Sequence, residues 1–253
     1  MGKNLEELIV KEDPSTIAGF FAEPVMGAGG VIPPSKGYFD IIQPILKKYG
    51  IPFIADEVIC GFGRTGNLWG SETYNLDPDM IISSKCLTAG FFPMGAVIIK
   101  QDLADDFVEI SEEAEEFPHG FTSGGHPVGC AIALKSIDVI INEGLLDNVR
   151  NVSPYFLQRL NEFNEYENIG ETRGIGLMGA LEMVKDKKTK TPFDPKLSMG
   201  DRVANESIDK GLICRPLGPA IVLCPQFIIT TKEIDTMFDM LHDTLKISFK
   251  NIT

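Results

Sequence analysis

Three short segments carry residue types that could do chemistry. Ile54-Ala55-Asp56-Glu57-Val58 sets two carboxylates at the end of an apolar run, and Gly61-Phe62-Gly63-Arg64-Thr65-Gly66 follows it. Ser83-Ser84-Lys85 sets a lysine just past another apolar run. His119-Gly120-Phe121-Thr122-Ser123-Gly124-Gly125-His126-Pro127 is a polar, glycine-rich loop that opens a helix. A lysine amine can attack a carbonyl carbon, and a buried carboxylate can stabilise a positive charge beside it. Each segment alone also has an ordinary reading. Acids favour helix N-termini, lysines are mostly solvated and glycines make turns. The chemical reading rests on their combination and order.

The elements that must position these residues are legible in the apolar pattern. Residues 17–22, 52–55, 80–82 and 96–99 are short apolar runs. Between the first two, Tyr38–Tyr49 has helical spacing, with Phe39, Ile42, Ile45 and Leu46 on one face and Gly50 as its C-cap. Short apolar runs separated by helices predict an α/β fold with a mostly parallel sheet covered on both faces. Sites in such folds lie at the strand ends. Residues 101–118 are polar and acidic and read as a solvated helix face and loop. A long helix rich in small residues is predicted over Pro127–Asn142. After Gly144 the character changes to helical patterns flanking apolar segments at 176–183 and 221–229, which reads as a smaller α+β domain. The expected division is 1–144 and 145–253. The last helix opens on a capping box, Thr230 to Glu233, and carries Ile234, Met237, Phe238, Leu241 and Leu245 on one stripe. Residues 185–190 read as a basic surface loop.

Composition narrows the function. The 253 residues carry 36 acidic and 23 basic side chains, for a formal net charge of −13. Such a surface repels nucleic acid and anionic membrane, so neither is an expected partner. No apolar run is long enough to span a bilayer. The N-terminal residues contain no apolar signal region, so a cytoplasmic protein is expected. The five cysteines (Cys60, Cys86, Cys130, Cys214, Cys224) include no Cys-x-x-Cys pair, and reduced buried thiols are expected. No metal site is expected: the gap between His119 and His126 contains three glycines and fixes no ligand geometry. Gly27-Ala28-Gly29-Gly30 does not read as a dinucleotide fingerprint, because Val31-Ile32-Pro33-Pro34 follows where a helix should open.

Taken together the motifs resemble the class III aminotransferases of pyridoxal-phosphate (PLP) fold type I, along nearly the whole chain. The resemblance is carried by Glu23-Pro24-Val25, Asp56-Glu57-Val58, Gly61-Phe62-Gly63-Arg64-Thr65-Gly66, Lys85, His119-Gly120-Phe121-Thr122 with Gly125-His126-Pro127, Arg173-Gly174-Ile175-Gly176-Leu177-Met178 and Cys224-Pro225. It implies part of the large mixed-sheet domain followed by the C-terminal small domain. It also implies PLP as cofactor, with Lys85 forming the Schiff base (the internal aldimine) and then moving a proton between the substrate's Cα and the cofactor. Asp56 would face the pyridine nitrogen and keep it protonated, a charge-assisted bond of about 1.5–3 kcal/mol. Val58 would pack on one face of the ring. Thr122 would give its hydroxyl to the cofactor phosphate of a neighbouring subunit, which implies a dimer. Glu23 would either hydrogen-bond near the cofactor or orient Arg64 or a loop.

Two departures bear on the substrate. In family branches that use 2-oxoglutarate, a glutamate after Glu-Pro-x-x-Gly faces an arginine in the strand before a late Pro-Pro. The corresponding residues here are Ala28 and Val222. The segments 54–66 and 119–127 resemble the ω-amino acid:pyruvate type instead. The expected reaction moves an amino group from an ω-amino acid or amine to a 2-oxo acid, pyruvate. Arg215 would hold a substrate carboxylate, or is a surface arginine in a turn. The diaminopelargonate enzyme also lacks the glutamate, so the amino donor stays open, and an aminomutase would use the same lysine and aspartate. By the same resemblance the chain corresponds to the C-terminal portion of a longer protein. The serine/glycine loop that grips the cofactor phosphate and the aromatic residue stacked on the ring have no counterpart in it. Two expectations follow: half of a split enzyme that works with a separate N-terminal chain, or a truncated homologue that serves as a binding or structural partner without activity alone.

Overall fold

The computed structural model describes residues 2–116 and 119–250. The chain divides into two compact units. The first comprises Met1–Pro24, Pro34–Phe62 and Asn67–Glu143; the second comprises Val25–Pro33, Gly63–Gly66 and Gly144–Thr253.

The first unit is built on a four-stranded mixed sheet. Its elements, in chain order, are α1 (Gly2–Glu12), β1 (Phe20–Ala22), α2 (Tyr38–Tyr49), β2 (Phe53–Asp56), α3 (Gly70–Thr73), β3 (Met80–Ser83), β4 (Ala96–Ile99), α4 (Gln101–Ala114) and α5 (Pro127–Asn142). The strand order is β1-β2-β3-β4. The first three strands are parallel, and β4 returns antiparallel to β3 with Ser83 opposite Ala96. α2 forms because Phe39, Ile42 and Leu46 fall on one face and bury there. Gly50 stops it with φ +64, its amide donating to the carbonyls of Leu46 and Lys47. Those side chains meet Ile9 of α1, Ile51 and Phe53 in one apolar cluster. β2 is the best buried strand of this sheet, with Phe53, Ile54 and Ala55 each at most 4% exposed. Phe21 on β1 and Val97 and Ile98 on β4 are exposed apolar residues of the two outer strands.

The second unit contains α6 (Leu145–Glu162), β5 (Ile169–Ile175), β6 (Met178–Met183), α7 (Met199–Ile208), β7 (Arg215–Leu217), β8 (Ala220–Leu223) and α8 (Thr231–Lys250). Its sheet is antiparallel in the order β5-β6-β8-β7. Phe156, Leu160, Phe163, Phe238, Leu241 and Leu245 are fully buried between α6 and α8, with Phe238 lying 5.4 Å from the ring of Phe156. The capping box forms as expected. The Thr230 amide donates to Glu233 at 2.8 Å and the Glu233 amide donates to Thr230 Oγ1 at 3.3 Å. Met237 is half-buried on the stripe. Residues 185–190 form a surface turn closed by the pairing of Asp186 with Thr191. Among the described residues no helix is long and apolar enough to cross a membrane.

Candidate active site at the ends of the parallel strands

Because β1, β2 and β3 are parallel, their C-terminal ends lie side by side, where ligands of open α/β sheets bind. The register pairs Ala22 with Ala55 and Asp56 with Ile82. Glu23 therefore leaves β1 beside Asp56, and Lys85 follows closely on Ile82 at the same end. Asp56 is half-buried, and its Oδ1 accepts the amide of Val58 at 3.0 Å. This local turn fixes the carboxylate against its own chain and folds half-buried Val58 back beside it.

Lys85 is exposed and opens a single 3₁₀ turn, Lys85–Leu87, with φ +39. A non-glycine residue in this region costs about 1–3 kcal/mol and persists only where its surroundings enforce it. The enforcement comes from several hydrogen bonds. Ser84 Oγ donates to the Met94 carbonyl at 3.0 Å, and Thr88 Oγ1 donates to the Phe92 carbonyl at 2.6 Å. From α5, Ser136 Oγ donates to the Cys86 carbonyl at 3.0 Å. The lysine is thus presented to solvent from a backbone braced on both sides. Ser84 and Thr88 were the only local signals for this brace, and local pattern alone does not distinguish them from loop polarity.

Glu57 behaves differently from Asp56. It is 1% exposed. Its Oε2 accepts the Gly70 amide at 2.9 Å, and its Oε1 accepts both the Ser71 amide and the Ser71 hydroxyl at 2.6 Å. Burial pushes its carboxyl above the usual range, and the Ser71 hydrogen bonds pull the other way. Its backbone amide still donates to the Ile82 carbonyl at 2.9 Å, extending the β2–β3 ladder past Asp56.

The remaining expected site residues lie elsewhere. Thr122 is exposed in the turn between α4 and α5, where the Gly124 amide donates to the Phe121 carbonyl at 2.9 Å. Phe117 and Pro118, in the segment expected to be loop, lie outside the described residues. Arg215 is exposed at the start of β7 and pairs across the strands with Val222 of β8.

Within the second unit the glycine motifs are bound to one another. Arg64 donates to the carbonyls of Leu177 at 3.0 Å and Pro225 at 2.6 Å, and its guanidinium lies 4.4 Å from the centre of the Phe227 ring. The Leu177 amide returns a bond to the Arg64 carbonyl at 3.0 Å. The Arg64-Thr65 backbone consequently runs against Gly176, where a Cβ would meet Arg64 O at 2.2 Å. Arg173 donates through Nε to the Gly30 carbonyl at 2.8 Å and pairs with Glu182 at 2.6 Å. It thereby pins the turn Gly27–Val31, whose flanks pair as Met26 with Ile32. The glycine run is a tight reversal and opens no helix. Ala28 is exposed in this turn and Val222 is buried on β8.

Comparison with known proteins gives the family and the fold. The profile of the family "Aminotransferase class-III" matches residues 1–245. The mitochondrial gamma aminobutyrate transaminase 1 of Solanum lycopersicum is 42% identical over 252 residues, which is 100% of this chain and 49% of that protein. Among solved structures, a PMP-bound aminotransferase from Vibrio fluvialis and an omega-aminotransferase from Paracoccus denitrificans are each 62% identical. Each superposes with a TM-score of 0.97 over all of this chain and 56% of its own. The chain thus spans about half the length of the curated relatives it matches. Its fold is that of the PLP-dependent fold-type-I transferases, and the chain belongs to the class III aminotransferases.

Proposed function

We propose that this chain supplies the cofactor-anchoring wall of an aminotransferase site, with PLP held by Lys85, Asp56 and Val58, assisted by Glu23 and by Thr122. The carrying observation is that β2 and β3 are parallel and bring Asp56 and Lys85 to the same end of the sheet. The residue set suits this cofactor: an exposed amine for its aldehyde carbon, a carboxylate for its ring nitrogen and a branched apolar side chain for its ring face. PLP, when bound, supplies an electron sink for the charge that develops on the substrate's Cα. Asp56, immobilised by the Val58 amide, keeps the ring nitrogen protonated through a charge-assisted hydrogen bond of about 1.5–3 kcal/mol. Lys85 Nζ would hold the cofactor at its aldehyde carbon, and as a free amine would serve as base and acid at the substrate's Cα. Solved relatives described as PLP-bound and PMP-bound aminotransferases support the assignment of the cofactor.

The proposed reaction moves an amino group from an ω-amino acid or amine to a 2-oxo acid, with pyruvate as acceptor. The named relatives, gamma aminobutyrate transaminases and omega-aminotransferases, support this donor class. Ala28 and Val222 offer no charged pair for a second carboxylate, which favours a monocarboxylate acceptor. Arg215, one strand over from Val222, is the proposed carboxylate-binding residue. Thr122 is proposed to serve a neighbouring subunit, either in a homodimer or in a complex with a chain that supplies the N-terminal half.

The test is an absorbance titration of the chain with PLP, followed by borohydride reduction, peptide mapping and addition of donor. Reduction should fix the cofactor on Lys85, Lys85→Ala should abolish the adduct, and pyruvate should outperform 2-oxoglutarate as acceptor. An adduct that survives in Lys85→Ala would show that another lysine is used.

A further inference from the structure

The buried carboxylate of Glu57 has no part in the proposed chemistry, yet it is more fully coordinated than either neighbour. Successive side chains of an extended chain point to opposite faces, so Glu57 turns away from the face that presents Asp56. On that far side it is enclosed. The Gly61 amide donates to the Glu57 carbonyl at 2.8 Å, and the Phe62 and Trp69 rings pack 4.9 Å apart over the turn. The enclosure leaves no spare room. A Cβ on Gly61 would meet the Glu57 carbonyl at 2.7 Å, and a Cβ on Gly70 would meet Cys60 at 2.7 Å, Pro24 at 3.0 Å and Glu57 Oε2 at 3.1 Å. Pro24 directly follows Glu23, so the same enclosure abuts the ends of both β1 and β2. The other acid that faces Glu57 is Glu72, whose own carboxylate accepts the Trp69 amide at 2.9 Å.

We propose that Glu57 is a positioning residue for Asp56: locked by Gly70 and Ser71, its carboxylate fixes the strand end from behind and so fixes the direction in which Asp56 and Val58 are presented. The proposal rests on the reading of Asp56 as the partner of the cofactor's ring nitrogen. A lone cap for α3 would need only the hydrogen bonds to Gly70 and Ser71. The proposal instead joins those bonds to the β2–β3 ladder at Ile82 and to the Asp56–Val58 turn, through consecutive residues of one short chain segment.

The test compares the full chain with Glu57→Gln and Ser71→Ala. In Glu57→Gln one carboxylate oxygen becomes an amide group, so one of the buried donors at Gly70 or Ser71 faces another donor. Two readouts are taken: amide hydrogen exchange of the chain without cofactor, and PLP affinity by absorbance at matched folded fraction. Positioning predicts faster exchange at Val58 and Gly61 as well as at Gly70 and Ser71. It also predicts PLP binding weakened about 10- to 100-fold, the equivalent of one charge-assisted bond. Ser71→Ala, which leaves both backbone donors in place, should fall between parent and Glu57→Gln in both readouts. Exchange changes confined to Gly70 and Ser71, with PLP affinity unchanged, would overturn the proposal and leave Glu57 as a helix cap. If the parent chain alone binds no PLP, cofactor binding without the N-terminal half fails, and the exchange pattern alone decides the positioning role. If Glu57→Gln does not fold, Ser71→Ala decides it: faster exchange at Val58 supports positioning, and parent-like exchange there overturns it.

Discussion

Gly176 and Gly218 offer a matched pair for asking how the glycine motifs hold the second unit together. Both have φ +57, so an alanine at either position pays the same backbone strain. For an L-residue in this region the cost is about 1–2 kcal/mol. Their surroundings differ. A Cβ on Gly218 would meet nothing within 4 Å, whereas a Cβ on Gly176 would meet Arg64 O at 2.2 Å, Thr65 Cα at 2.7 Å and Thr65 C at 2.9 Å. These are backbone atoms and cannot rotate aside. The Arg64-Thr65 segment must move, and it is held by the Leu177 amide and by two bonds from the Arg64 guanidinium. Overpacking of this kind adds about 1–3 kcal/mol. Gly218→Ala should therefore cost about 1–2 kcal/mol and Gly176→Ala about 2–5 kcal/mol. Urea unfolding of both variants, with m-values checked for equality to the parent, measures the difference. Losses that agree within about 0.5 kcal/mol would refute the claim that Gly176 exists to admit the 64–65 backbone.

With the proposed roles, Asp56→Ala should lower turnover more than cofactor occupancy, since Lys85 would still anchor PLP while the ring nitrogen would lose its partner; equal rates in parent and variant would remove that role. Phe238→Ala should destabilise the chain by about 3–5 kcal/mol in the same urea assay, since its fully buried ring packs on Phe156 and Phe163. His242, stacked 3.9 Å from the Phe163 ring and joined to the Tyr166 hydroxyl at 2.9 Å, is held below its ordinary value by burial, with Arg159 and Lys246 adding and Glu162 opposing. The unfolded chain then takes up a proton on this residue first, so its contribution is present above about pH 6.5 and is lost as pH falls toward the lower folded value. His242→Phe should lose less thermal stability than the parent between about pH 7 and pH 5.5, and parallel losses would exclude His242 as a source of the acid sensitivity.

How far the sequence revealed this structure depended on whether the deciding contact was local. α2 was legible at both ends and α5 at its start because the signals are local: Gly50 closes α2 through its own amide, and Pro127 opens α5 at a position that needs no N–H. β4 was legible because its four apolar residues run from just after Gly95 to just before Lys100. β5 and β7 were not. β5 interrupts its apolar residues with Glu171, Thr172 and Arg173, and β7 is three residues long with Pro216 inside it, as edge strands allow. The excursions of Val25–Pro33 and Gly63–Gly66 into the second unit were invisible for the same reason. They are made by Arg173 reaching Gly30 and by Arg64 reaching Leu177 and Pro225, across more than a hundred residues of chain.

The candidate site divides along the same line. Asp56 and Lys85 were legible as a pair, because parallel strands bring their C-terminal ends together whatever lies between them. Asp56 and Glu57 were legible as an acidic pair at a strand end, but not which of them is buried. That depended on Gly70 and Ser71, beyond a turn whose length no periodicity encodes. The glycines show the point most directly. Read alone, Gly30, Gly70 and Gly176 are turn formers. In the fold each is small because a particular partner occupies the space a Cβ would need: the Arg173 guanidinium, the Cys60 and Pro24 side chains with the Glu57 carboxylate, and the Arg64-Thr65 backbone. A motif that looks like a loop signature is therefore half of a contact, and its meaning becomes readable only when the distant motif that fills the other half is read with it.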